Sequence, residues 1–67
     1  MILDMAVGKR IKYFRVKKGM TRRVVAIAAH ITEGGLFKIE KGERSPSFET
    51  VVAIAKALGV PLTEFVD

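Results

Sequence analysis

The chain has 67 residues, enough for one domain with a core so small that every element must contribute. It contains no cysteine, which excludes a disulfide framework. Because it also has only one histidine, we expect no bound metal, and we expect no cofactor. The net charge is +5, and residues 1–24 carry eight of the 12 basic residues but one of the 7 acidic ones. This asymmetry favours a polyanion bound from one side, and a merely solvated basic helix explains the charge equally well.

The sequence shows no membrane or secretory segment. Its first acidic residue, Asp4, comes too early for a secretory signal. The longest apolar run, from Val24 to Ala29, is far shorter than the about 20 residues that span a bilayer. We therefore expect a cytoplasmic protein without a membrane partner.

Apolar residues at helical spacing divide the chain into five short helices. Hydroxyl side chains that can cap a first turn begin the second, third and fourth helices, namely Thr21, Thr32 and Ser47. Pro61 opens a short fifth helix, which runs through Leu62 and Phe65. The sequence therefore predicts an all-α fold in which residues 1–67 form a single domain and residues 1–5 form an N-terminal arm.

Helices 2 and 3, Thr21–His30 and Thr32–Lys41, form the informative pair. Each is about nine residues long, and the turn of about three residues between them forces the two helices to cross steeply. Ala26 lies where the helices would touch, and its small side chain permits a close approach. This is the geometry of a helix-turn-helix, whose second helix enters the major groove of DNA.

An ordered set of short motifs extends from about Val7 to Phe65. It comprises Gly-Met-Thr at 19–21, Ala26, Ile31-Thr32, Leu36, the run from Lys38 to Gly42, the run from Pro46 to Thr50 and the run from Ala55 to Val60. This set resembles the Cro and phage-repressor helix-turn-helix family, also called the XRE type, and is most similar to the branch often fused to a cupin sensor domain. The resemblance implies a five-helix, phage-repressor-like DNA-binding domain.

The resemblance also implies residue roles, with helix 3 as the recognition helix. The predicted DNA-binding residues are Arg22, Arg23, Thr32, Glu33, Gly34, Phe37, Lys38, Lys41 and Arg44. Arg22 falls where the family commonly has a phosphate-contacting glutamine. Arg15 and Glu40 fall where the family has a largely buried ion pair between helices 1 and 3. Independently, each of these two charges lies one turn from a core residue and therefore needs a partner.

Three residues depart from the family pattern within this motif. Glu33 would repel phosphate and can only accept a hydrogen bond in the groove, for example from cytosine N4. Gly34 offers no side chain, so base readout rests on Lys38, with Lys41 behind it. His30 replaces the turn glycine, and we expect it to adopt a positive φ with some strain and to act as a helix cap, not as a metal ligand.

Val24, Ile27 and Phe37 are apolar where the family usually has polar residues. One interpretation, which we favour for Val24 and Ile27, is that the apolar residues Ile2, Leu3 and Met5 of the arm fold back and cover some of this surface. The other interpretation is a contact with a partner or a second copy. For Phe37, packing and contact with a thymine methyl group both remain open.

The leading functional prediction is a sequence-specific transcriptional regulator, acting as a dimeric repressor on double-stranded DNA. Apolar residues crowd the C-terminal segment and predict a homodimer surface of Val60, Leu62, Phe65 and Val66, with Phe65 as its anchor. The operator would then be an inverted repeat. The alternative is an antitoxin or adaptor that uses the same fold to bind a protein partner. An enzyme is not expected, because the chain has no cysteine, no phosphate-binding glycine loop and no pair of carboxylates in a plausible cleft.

Overall fold

The computed structural model describes residues 6–66, which form four α-helices followed by one short 3-10 turn. The elements are α1 (Val7–Lys17), α2 (Arg22–Ala28), α3 (Glu33–Glu40), α4 (Phe48–Leu58) and the turn Leu62–Glu64. The predicted all-α fold is confirmed, whereas the prediction of a fifth α-helix is wrong. The predicted arm, residues 1–5, lies outside the described residues. None of the described helices has the length and apolar character needed to cross a membrane.

The fifth helix is replaced by a single turn because the chain bends into the core. The backbone N–H of Phe65 donates to the carbonyl of Leu62 at 2.9 Å, which is 3-10 geometry, and the Phe65 side chain is fully buried. The N–H of Glu64 likewise donates to the carbonyl of Pro61 at 3.0 Å, so the hydrogen bonds of this segment join residues three apart, as in a 3-10 turn.

Hydroxyl caps begin α2, α3 and α4, as predicted. Thr21, Thr32 and Ser47 each accept a hydrogen bond from the backbone N–H three residues further on, at 2.9 to 3.1 Å. At the other end of α4, Gly59 adopts the left-handed conformation, with φ of 68°, and its backbone N–H donates to the last turn. These local signals determine where the helices start and stop.

The core lies among the four helices, and the 3-10 turn Leu62–Glu64, called the C-terminal turn below, packs on α4 at one end of it. Its largest fully buried side chains are Ile11, Val25, Leu36, Val51, Ile54 and Phe65. The Phe65 ring packs edge-to-face on Phe14, with 5.7 Å between the ring centroids. Helix α2 packs on both α3 and α4, and α1 packs on α3, so the helix pair α2–α3 is supported from behind by α1 and α4.

Gly8 allows α1 to approach the C-terminal end of α3. A Cβ atom on Gly8 would overlap the carbonyl oxygen of Ile39 and would lie 3.4 Å from the Cα of Glu40. A residue without a side chain is therefore required at this crossing. The close approach also brings the following turns of α1, including Arg15, toward Glu40.

Candidate nucleic-acid interface

The turn between α2 and α3 orients the candidate recognition helix. His30 has a φ of 58°, and within residues 6–66 no other non-glycine residue has a positive φ. The N–H of Ile31, the next residue, donates to the carbonyl of Ala26 at 3.0 Å and closes the end of α2. The chain then reaches the Thr32 cap and begins α3. His30 therefore occupies the strained turn position that the sequence predicted, and α2 ends at Ala28, two residues earlier than expected.

Helix α3 has one buried face and one exposed face. Leu36 and Ile39 are buried against the core. The exposed residues of α3 and its C-cap are Glu33, Gly34, Phe37, Lys38 and Lys41. All five belong to the predicted DNA-binding set, so the structure brings this part of the set onto one helix face.

Basic side chains flank α3 on both sides. Arg22 and Arg23 stand at the start of α2, where Arg23 is exposed and Arg22 is half-buried. On the other side, exposed Arg44 lies in the loop before α4 and lines a cavity of about 380 Å³ together with Thr32 and Ser47. Cations thus precede α3 in the chain, lie on its exposed face and follow it.

A buried ion network ties α3 to the two preceding helices. Arg15 donates from Nε to Glu40 Oε2 at 2.7 Å and from Nη2 to Oε1 at 3.0 Å, a bidentate pair. Arg15 Nη1 also donates to the carbonyl of Met20 at 3.0 Å. Both residues are buried, with 8% of Arg15 and 6% of Glu40 exposed. The structure therefore brings together the two residues that the sequence analysis had paired.

Arg22 is a third member of this network, and the sequence analysis did not include it. Its Nε donates to Glu40 Oε1 at 3.0 Å, so one carboxylate serves two guanidinium groups. The family resemblance predicted only a phosphate contact for Arg22. Eighteen residues and two helix ends separate Arg22 from Glu40, so no local spacing in the sequence pointed to this contact.

The Phe37 ring contacts two cations, Arg22 of the ion network and Lys41 at the C-cap of α3. The guanidinium carbon of Arg22 lies 4.9 Å from the ring centroid, and Lys41 Nζ lies 5.0 Å from it. Both distances are those of cation–π contacts. Lys41 Nζ also pairs with the Glu43 carboxylate at 3.1 Å, in solvent. Phe37 itself is 42% exposed on the same face as Lys38.

The predicted dimer surface is only partly available. Val60 is buried, and Phe65 is fully buried within its own chain, where it packs on Phe14. The prediction of Phe65 as a dimer anchor is therefore wrong, because its ring closes the core of its own domain and offers no surface to a second copy. Leu62 and Val66 remain partly accessible.

A separate apolar pair lies on the outer face of α2. Val24 is 50% exposed and Ile27 is 64% exposed. The arm that was predicted to cover them, residues 2–5, lies outside the described residues. Within residues 6–66, these two side chains lie three residues apart on α2 and form an exposed apolar pair.

Helix α3 follows a tight turn, begins at a capping threonine and has one exposed face with cations beside it. This arrangement is that of a helix-turn-helix protein. The comparison with protein families agrees: the chain belongs to the helix-turn-helix family HTH_3, whose profile matches residues 11–65.

Named relatives share this motif. The chain is 39% identical over 57 residues to the transcriptional regulator ClgR of Mycobacterium tuberculosis, a match that covers 85% of this chain and 51% of the relative. It is 36% identical over 62 residues to the immunity repressor protein of Bacillus phage phi105, covering 92% of this chain and 43% of the relative. The crystal structure of the clp gene regulator ClgR from Corynebacterium glutamicum matches with a TM-score of 0.85 at 32% identity, over 88% of this chain and 77% of the other. The chain thus spans about half the length of the curated relatives it matches. The finer likeness to a cupin-fused branch stays a prediction.

Proposed function

We propose that this chain is a sequence-specific DNA-binding unit of a transcriptional regulator, and that α3 enters the major groove of duplex DNA. The observation that carries the proposal is the exposed face of α3, which has Arg22 against Phe37 on one side and Arg44 beside Gly35 on the other. An α-helix fits the major groove, and cations beside it reach the phosphates of both groove walls. The cations supply affinity, and the helix face supplies sequence readout.

Base readout in this proposal depends on few side chains. Lys38 is exposed at the middle of the face and can donate to guanine O6 or N7. Glu33 stands at the start of α3, where it can accept from cytosine N4. Gly34 brings no side chain and lets the backbone approach the bases. Thr32, Arg23 and Arg44 are assigned to the phosphates, since Thr32 caps α3, Arg23 stands in the first turn of α2 and Arg44 lies beside Gly35.

The regulatory role is supported by the relatives, whose names are those of a transcriptional regulator and an immunity repressor. We extend this role to the present chain as repression by a homodimer on an inverted-repeat operator in the cytoplasm, without enzymatic activity of its own. Because the matched relatives are about twice as long, the proposal concerns the DNA-binding unit and its pairing.

One observation favours a second function for the same fold, a contact with another protein. Val24 and Ile27 expose apolar surface on α2, and an exposed apolar patch favours an interaction site. In an antitoxin or adaptor, this surface would bind the partner. It lies on α2, so the two functions use different residues and are separable by mutation.

Selection from a library of random duplexes tests the proposal. We expect the wild type to enrich one inverted-repeat sequence and to bind it roughly 1,000-fold or more tightly than a mixed-sequence duplex. Lys38→Ala should reduce this ratio by about 10-fold or more, the cost of about one base contact, because it removes the main base-reading side chain. Arg23→Ala is the matched control and should weaken both duplexes equally. A wild-type ratio near one would refute sequence-specific binding and leave the protein-interaction function.

A further inference from the structure

We propose that Phe37 is a positioning residue for DNA binding, whose ring holds the Arg22 guanidinium and the Lys41 ammonium in place as phosphate contacts. The inference rests on the proposed function, since it assumes that this face binds DNA. It assigns to Phe37 neither of the roles left open by the sequence, which were contact with a thymine methyl group and packing alone.

The first support is the geometry around the ring. Arg22 Cζ and Lys41 Nζ lie 4.9 and 5.0 Å from the same ring centroid, so the two cations are at most about 10 Å apart. They come from different helices, Arg22 from the start of α2 and Lys41 from the C-cap of α3. The Phe37 ring is therefore the shared contact that relates one cation to the other.

The second support is the way in which Arg22 is held. Its Nε donates to Glu40 Oε1 at 3.0 Å, and the face of the Phe37 ring contacts the guanidinium. The planar group is thus fixed along one edge and over one face. No hydrogen bond within residues 6–66 uses its Nη atoms, which keep four N–H donors for a phosphate. A side chain that is held before binding loses less conformational entropy when it binds.

The third support is the charge of the cluster. Glu40 supplies one negative charge against the positive charges of Arg15, Arg22 and Lys41, so the cluster has a surplus of positive charge. Lys41 also pairs with Glu43, but both of these side chains are about half exposed, and such pairs contribute little. A DNA phosphate can therefore replace Glu43 at Lys41. The arrangement also explains why an aromatic side chain remains 42% exposed on a basic face.

Two substitutions distinguish the effect of the aromatic ring from the effect of an apolar side chain of similar size. Phe37→Leu keeps an apolar side chain but removes the ring, whereas Phe37→Tyr keeps the ring. We expect Phe37→Leu to weaken binding to a mixed-sequence duplex and to the selected operator by the same factor, about five- to tenfold, because both cationic side chains must then lose their conformational freedom when they bind phosphate. Phe37→Tyr should bind within about twofold of the wild type. Thermal unfolding of both variants should stay close to that of the wild type, since the ring is 42% exposed.

A second background tests whether Phe37 acts through the two cations. In a variant that already carries Arg22→Ala and Lys41→Ala, Phe37→Leu should cause no further loss of affinity. In the free protein, NMR should show ring-current shifts of the side-chain protons of Arg22 and Lys41, and Phe37→Leu should abolish them. This readout needs no DNA.

The outcomes are distinct. Equal binding by the wild type and Phe37→Leu would overturn the inference and leave the proposed function intact. A loss confined to the operator, which disappears when its thymines are replaced by uracil, would also overturn it and assign Phe37 to a thymine methyl group. Failure of the wild type to bind any duplex would refute the proposed function, and the inference with it.

Discussion

At the scale of single residues, the carboxylate of Glu40 connects three helices. Glu40 lies at the end of α3 and accepts hydrogen bonds from Arg15 of α1 and Arg22 of α2. Removing charges from water is costly, and the bidentate geometry, the Arg22 bond to Glu40 and the Arg15 bond to the Met20 carbonyl together offset that cost. The network therefore determines the orientation of α3 relative to α1 and α2 more than it adds to the free energy of unfolding.

Removal of the Glu40 carboxylate should expose this cost. We expect Glu40→Ala to reduce the free energy of unfolding by on the order of 3 kcal/mol, because it leaves Arg15 buried without a counter-charge. Arg22 is half-buried and can turn to solvent, so it adds little to the loss. The double variant Arg15→Met, Glu40→Leu should recover much of the stability. Urea unfolding of the single and double variants completes a double-mutant cycle, and additive effects would refute the coupling.

At the scale of the elements, two glycines in equivalent positions have opposite roles. Gly8 is the second residue of α1 and Gly34 is the second residue of α3. A Cβ on Gly8 would overlap the carbonyl oxygen of Ile39, whereas a Cβ on Gly34 would have no neighbour within 4 Å. Both glycines occupy the second position of a helix. A difference in the free energy of unfolding between their alanine variants therefore measures the packing of α1 on α3.

We expect Gly34→Ala to raise the free energy of unfolding by about 0.5 kcal/mol, since alanine loses less backbone entropy in a helix. Gly8→Ala should lower it by about 1 to 3 kcal/mol, the usual cost of overpacking against a rigid neighbour. Thermal or urea unfolding of the two variants measures both values. A stabilising Gly8→Ala would contradict the close approach of α1 to α3.

Elements defined by local signals were predictable from the sequence, and contacts between distant residues were less so. The caps Thr21, Thr32 and Ser47 act on N–H groups three residues away, so their hydroxyls were sufficient evidence. The exposed residues of α3 were predicted through the resemblance to the helix-turn-helix family. Arg22 and Phe65 were assigned to the surface because their spacing says nothing about Glu40 or the Phe14 ring, which are far away in the chain. The apolar C-terminal residues predicted a helix and a dimer anchor, where the structure has one turn and a core side chain.

At the scale of the whole molecule, the C-terminal turn closes a core that is barely large enough. A core of this size rarely supplies more than about 3 to 5 kcal/mol of stability, and truncation of a buried phenylalanine costs a similar amount. Phe65 is fully buried, so its side chain decides whether the fold persists. Leu62 is only half-buried and remains available for a second copy, which leaves the proposed homodimer a smaller surface than the sequence predicted.

Phe65 and Leu62 should therefore behave differently on substitution. We expect Phe65→Ala to lose helical circular dichroism at 25 °C, because it loses about 3 to 5 kcal/mol. Leu62→Asp should keep the helical signal and shift sedimentation from dimer to monomer, since the two aspartates would face each other across a two-fold axis. Two recognition helices so paired require half-sites about 34 Å apart, roughly 10 to 12 base pairs. A wild type that sediments as a folded monomer at tens of micromolar and binds single half-sites would contradict the dimer.

The salt dependence of binding tests most directly whether this face contacts the DNA backbone. The affinity for a mixed-sequence duplex should fall linearly on a log–log plot against salt concentration. Arg22→Ala should make the slope shallower by about one and weaken all sequences equally, because it removes one phosphate contact. Lys56→Ala, at the far end of α4 from the Ser47 cap, is the matched control and should leave the slope unchanged. Binding that does not respond to salt, or an equal change of slope in both variants, would contradict the assignment of DNA to this face.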